Sequence, residues 1–164
     1  MSHLNQKIGK LAKQIFTNWM LSQGKELQVT QSGLLVHGKS AYRVSAKVST
    51  KLHNHDHCVT GINEERLEKF ASKCNQVFRT GFLVFIDCMS RQMKMISVED
   101  WYNGFEFIGL KYPVTHLSHV GGRISYSESS HIPTVYELSK EEADELRSLT
   151  ILNKSNKGQI VMFT

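Results

Sequence analysis

Residues 82–86, Phe82-Leu83-Val84-Phe85-Ile86, are five consecutive apolar side chains with no polar alternation. A strand of that composition is buried on both faces, so the sheet that holds it must be covered above and below. Two flanking segments have the pattern to cover it. Ile8, Leu11, Ala12, Ile15, Phe16 and Trp19 recur at spacings of three and four, which predicts a helix over residues 4–22 with Lys7, Lys10 and Lys13 off the apolar stripe, closed by Gly24. Asn63 followed by Glu64 and Glu65 reads as an N-cap with carboxylates in the first turn, and Leu67, Phe70, Ala71, Cys74, Val77 and Phe78 carry that second helix to about Arg79.

Between the helices, residues 26–30 and 34–36 read as a hairpin about Gln31-Ser32-Gly33. A third strand follows, with Tyr42, Val44, Ala46 and Val48 alternating with Arg43, Ser45, Lys47 and Ser49, so that Lys47 shares a face with Ser45. Residues 92–98 make a further strand. The order predicts an α/β fold, a central mixed sheet flanked by helices. Past Trp101 the expectations are a strand at 105–110, a polar loop over 111–133 containing Gly121-Gly122-Arg123, a helix at 140–150 begun by the Ser139/Glu142 capping box, and an edge strand at 159–163. One domain over 1–164 is expected, with a core at 1–98 and a C-terminal extension at 99–164.

Charge is unevenly placed. Residues 1–79 hold 12 Lys/Arg against 5 Asp/Glu, a net +7, and residues 80–164 hold 8 against 10, a net −2. A basic half suits a polyanion or an acidic protein surface. No apolar run approaches the roughly 18 residues of a membrane span, the first residues alternate Lys with apolar side chains instead of forming a signal-peptide core, and Cys58, Cys74 and Cys88 are odd in number and widely spaced. These features predict no membrane partner and a cytoplasmic protein with reduced, mainly buried thiols.

The stretch Tyr42-Arg43-Val44-Ser45-Ala46-Lys47-Val48-Ser49-Thr50, preceded by a helix and a hairpin and followed by the helix from Asn63 and the apolar strand, resembles the PD-(D/E)XK nuclease superfamily, with its restriction-endonuclease-like fold, and within it the archaeal Holliday-junction resolvases. The resemblance covers residues 4–98. It implies an Asp on the second strand and a Glu two residues before the lysine, which together hold Mg²⁺. Lys47 matches, but Ser45 stands at the Glu position, Gly33 or Leu34 at the Asp position, and the first helix has no acidic residue. A hydroxyl and a glycine do not draw a hard cation out of water, so the family's metal site is expected to be missing.

Three functions follow as expectations. The first is an inactive nuclease-like module binding nucleic acid, DNA ahead of RNA, or a nucleic-acid-processing protein, through Lys7, Lys10, Lys13, Arg43, Lys47 and Lys51. It needs no cofactor, and resemblance to the resolvases implies a homodimer. The second is an Mg²⁺-dependent endonuclease with relocated acids, in which Lys47 works with Glu64 and Glu68, one helical turn apart, or with Asp56 or Asp87. The third is a small inhibitor or assembly protein that binds an acidic protein surface. Separately, His53, His55 and His57 fall on one face of an extended chain and are candidate Zn²⁺ ligands, with His116, His119 or His131 to complete the set.

Overall fold

A computed structural model describes residues 3–48, 58–106, 118–120, 123–127 and 132–158. Helix α1 (His3–Ser22) is followed by three antiparallel strands, β1 (Gln28–Val29), β2 (Leu35–His37) and β3 (Ser40–Lys47). Strand β4 (Cys58–Asn63) leads into α2 (Glu64–Gln76), and the chain returns as β5 (Thr80–Asp87), parallel to β3 and in register with it over its whole length. Then come β6 (Gln92–Ser97), α3 (Val98–Glu106), β7 (Ser118–Val120), β8 (Arg123–Ser127), β9 (Thr134–Glu137) and α4 (Lys140–Gly158). Six strands form one mixed sheet in the order β1-β2-β3-β5-β6-β9, and β4-β8-β7 form a second, antiparallel one.

Strand alternation divides the core in two. Tyr42, Val44, Val84, Ile86 and Met93 pack with Ile8, Ala12, Ile15, Phe16 and Met20 of α1 and with Leu138, Ala143 and Leu146. Ala41, Leu83, Phe85 and Ile96 point to the other face, against Leu67, Phe70 and Cys74 of α2 and Trp101 of α3, whose ring lies 5.2 Å from that of Phe85. The expected double-sided burial of residues 82–86 is realised by this α/sheet/α layering. Cys74 and Cys88 are free and buried, and burial pushes both thiols above their ordinary range. Among the described residues no helix is long and apolar enough to cross a membrane.

Several local expectations need correction. The first strand is Gln28–Val29 only, because the Thr30–Leu34 turn, with Gly33 at φ 87, takes up the rest of the hairpin. Phe105, expected in a strand, lies in α3, whose start is capped by Ser97 Oγ accepting from Asp100 N at 3.1 Å; residues 107–110 are outside the described set. The expected polar loop over 111–133 contains β7 and β8, which pair on either side of Gly121-Gly122 and join β4, a segment also expected to be loop. Nor does the core stop at residue 98. Strand β9 extends the main sheet beyond β6, and α4 helps to bury α1. The edge strand expected at 159–163 lies outside the described residues.

Candidate anion-binding groove

Strand β2 is too short to cover β3. Among the described residues their ladder ends at the Leu35–Tyr42 pair, where the positive-φ turn at Gly33 carries the chain away. The uncovered edge at Arg43 and Val44 forms the floor of a cavity of about 370 Å³. Helix α1 supplies Lys13 to one wall and α2 supplies Arg66, Lys69 and Lys73 to the other, while Arg43 rises from the floor. Residues 66, 69 and 73 share one helical face, and the neighbouring positions Leu67, Phe70 and Cys74 are drawn into the core. The N-cap fixes where that face begins: Asn63 Oδ1 accepts from Glu65 N at 2.9 Å and Arg66 N at 3.2 Å.

Five cations line this cleft and, among the described residues, no carboxylate does. Lys69 makes an exposed ion pair with Glu65 at 3.6 Å, a kind of contact that holds a lysine weakly, and Lys73 Nζ donates to Ser32 O at 3.3 Å. Along the helix, Arg66 and Lys73 are separated by a rise of roughly 10 Å. Of the basic residues expected from sequence, only Lys13 and Arg43 belong here. Lys7 and Lys10 line a separate cleft with Glu145 and Leu149 of α4, and Lys51 is outside the described residues. The three α2 cations were missed, although their i, i+3, i+7 spacing was visible.

Lys47 is elsewhere. It ends β3, is only 5% exposed, and is register partner to Asp87, 6% exposed, at the end of β5. It is therefore neither an exposed strand lysine nor part of the open groove. Strand alternation puts Ser45, Lys47 and Asp87 on the α2/α3 side, and the Ser45 hydroxyl is buried without a hydrogen-bond partner. Lys94, opposite Phe85, donates from Nζ to Ile132 O and to Thr134 Oγ1, both at 3.1 Å; burial lowers its pKa, and the Asp87 charge opposes that.

The end of a parallel strand pair is where α/β sheets place ligands, but Asp87 has another task. Its Oδ1 accepts from Met89 N at 3.0 Å and its Oδ2 from Ser90 Oγ at 2.9 Å, which ties down the turn from β5 to β6. The strand register sets one carboxylate, Asp87, beside Lys47, and Mg²⁺ favours more than one anionic oxygen ligand. Glu68 is exposed and Glu64 part-buried in the first turns of α2, and among the described residues no three His, Cys, Asp or Glu side chains gather as a metal site. His53, His55, His57, Asp56, His116 and His131 lie outside the described residues, and His119 falls in β7. Compared with protein-family models, curated proteins and solved structures, the chain matches none.

Proposed function

We propose that this protein is a nuclease-like module without the usual metal ligands, which binds the phosphate backbone of nucleic acid, DNA in the first place, in the groove between α1 and α2. The observation that carries this reading is the set of five cations, drawn from α1, β3 and α2, around an uncovered strand edge with no carboxylate among the described lining. Support for the PD-(D/E)XK part comes from topology: a helix, a three-strand antiparallel meander, and a helical crossover to a strand parallel to the third. Tyr42 and Phe70 in the groove wall are buried, so among the described residues lining the groove no aromatic face is offered to a base, and recognition rests on phosphates without reading sequence.

The test is a salt titration of binding to single-stranded and duplex DNA and to RNA, followed by fluorescence anisotropy. If all five cations neutralise phosphates, log K against log salt falls with a slope of roughly −3.5 for single strands or −4.5 for duplex. Arg66→Ala and Lys73→Ala, at exposed positions, should each weaken binding to every sequence alike and flatten the slope by about 0.7–0.9. Absence of binding, or slopes indifferent to both changes, would remove the proposal and leave an acidic protein as partner. Incubation with Mg²⁺, Mn²⁺ or EDTA should produce no cutting. Metal-dependent cleavage lost in both Lys47→Met and Asp87→Asn would instead make the buried strand-end pair an active site.

A further inference from the structure

The C-terminal end of α2 breaks a local rule. Val77 closes the helix and Phe78 follows at φ 54, the left-handed conformation in which glycine is the usual residue at this position. Phe78 N donates to Asn75 O at 3.2 Å and Arg79 N to Cys74 O at 2.9 Å, the paired bonds of a helix-ending turn. A side chain at positive φ is strained. The sequence pattern groups Phe78 with the apolar members of α2, yet it is 92% exposed, the most of any large apolar side chain among the described residues. Strain of this kind gathers where a side chain serves a ligand and not the core.

Phe78 stands at the end of the basic groove. Residues 66, 73 and 77 recur at spacings of seven and four, so Val77, itself 44% exposed, continues the helical stripe that carries Arg66 and Lys73. Phe78 comes next, a rise of roughly 7 Å beyond Lys73. The turn is anchored on its other side as well. Thr80 N donates to Lys39 O at 2.8 Å and Arg79 Nη1 to Gly38 O, which brings the turn between β2 and β3, with exposed Lys39, alongside. The backbone that carries the ring is thus fixed before any ligand arrives, so little freedom remains to be lost on binding.

We infer that Phe78 is a stacking platform for an unpaired base at the end of the cation track, and that the ligand of the groove is a single strand. The inference rests on the proposed phosphate binding and adds what the groove lining lacks, a face for a base. Cations that track a backbone, followed by an exposed aromatic ring, make a sequence-tolerant single-strand site, because every base has a face to stack. A duplex keeps those faces inside its own stack, where a ring reaches them only at the cost of unstacking. It gains the phosphate contacts alone.

Fluorescence anisotropy with the full chain tests it, using oligothymidylate, an abasic deoxyribose-phosphate strand of the same length, and a duplex. The wild type should bind oligothymidylate at least about five-fold more tightly than the abasic strand, the low end of what stacking one base contributes. Phe78→Gly should lose that preference, bind the abasic strand and the duplex as before, and keep the salt slope, since the ring carries no charge. Its urea midpoint should not fall, because glycine suits the turn. Phe78→Trp should retain the preference. A Phe78→Gly variant that binds oligothymidylate as tightly as the wild type overturns the inference, and the groove still stands if Arg66→Ala weakens binding to all three ligands. Equal weakening of all three by Phe78→Gly also overturns it, since the residue would then act through the placement of α2. Absence of binding to any of them removes groove and platform together.

Discussion

A single carboxylate oxygen joins β9 to the start of α4. Glu142 Oε1 accepts from Ser139 N at 2.8 Å and from Tyr136 Oη at 2.7 Å, while Ser139 Oγ accepts from Glu142 N at 3.1 Å. The Ser139/Glu142 half is legible in the sequence as a capping box. The tyrosine is not, because its part depends on β9 running antiparallel to β6 and ending beside the helix. The bond donated to Glu142, then burial, then the carboxylate charge push the Tyr136 phenol up from 10 to about 12. A pKa raised in the folded state means that the proton is held by folding. The contribution to stability is therefore complete below pH 10 and is lost as pH rises through about 12. The phenolate absorbance of the wild type minus that of Tyr136→Phe should titrate near 12, and Glu142→Ala should return it to the ordinary tyrosine range. A wild-type midpoint near 10 would mean that the bond to Glu142 does not persist in solution.

At the scale of elements, what the sequence reveals depends on length and period. Helices α1 and α2 and strands β3 and β5 could be placed from sequence because each repeats its apolar pattern several times. Strands β7 and β8 have three and five residues, too few for alternation to stand out among their serines. Helix α3 carries its own signal in Ser97 and Asp100, obscured by the aromatic run that suggested a strand. The basic face was expected on α1 and β3 with nothing from α2, yet α1 gives the groove one lysine and α2 three cations, because only packing decides which helical face meets the open edge of β3. Packing also decides Gly81. Propensity alone favours alanine over glycine in a strand. Here a Cβ would lie 3.0 Å from Cys74 Sγ, 3.0 Å from Phe70 Cε2 and 3.1 Å from Val98 Cγ2, with Cys74 and Phe70 already buried. Gly81→Ala should therefore lower the unfolding free energy by about 1–3 kcal/mol in urea titration, the range for overpacking. An unchanged midpoint would mean that α2 lifts from the sheet at no cost.

For the whole molecule, the nuclease-like core expected from sequence ends at residue 98, but the packing continues. Trp101, Leu138 and Leu146 are fully buried, the first on the α2/α3 side and the other two against α1. Burial of such side chains contributes about 1.5–3 kcal/mol each, so the three together are comparable with the whole stability of a domain, about 5–15 kcal/mol. Removing β9 also uncovers the edge of β6, an invitation to intermolecular pairing. A chain ending at Val98 should lack a cooperative urea transition and dispersed amide resonances. It would nevertheless keep every cation of the groove: Lys13, Arg43, Arg66, Lys69 and Lys73. That separates a folded site from mere positive charge. An unfolded polycation still binds nucleic acid, but its cations are interchangeable, so Arg66→Ala should affect it no more than Lys25→Ala does. In the full chain Arg66→Ala should be the more damaging, because Lys25 is not among the groove's lining residues. Equal effects of the two changes in the full chain would mean that net charge alone drives binding. A truncated chain that folds cooperatively would make residues 99–164 an accessory to a core that stands without them.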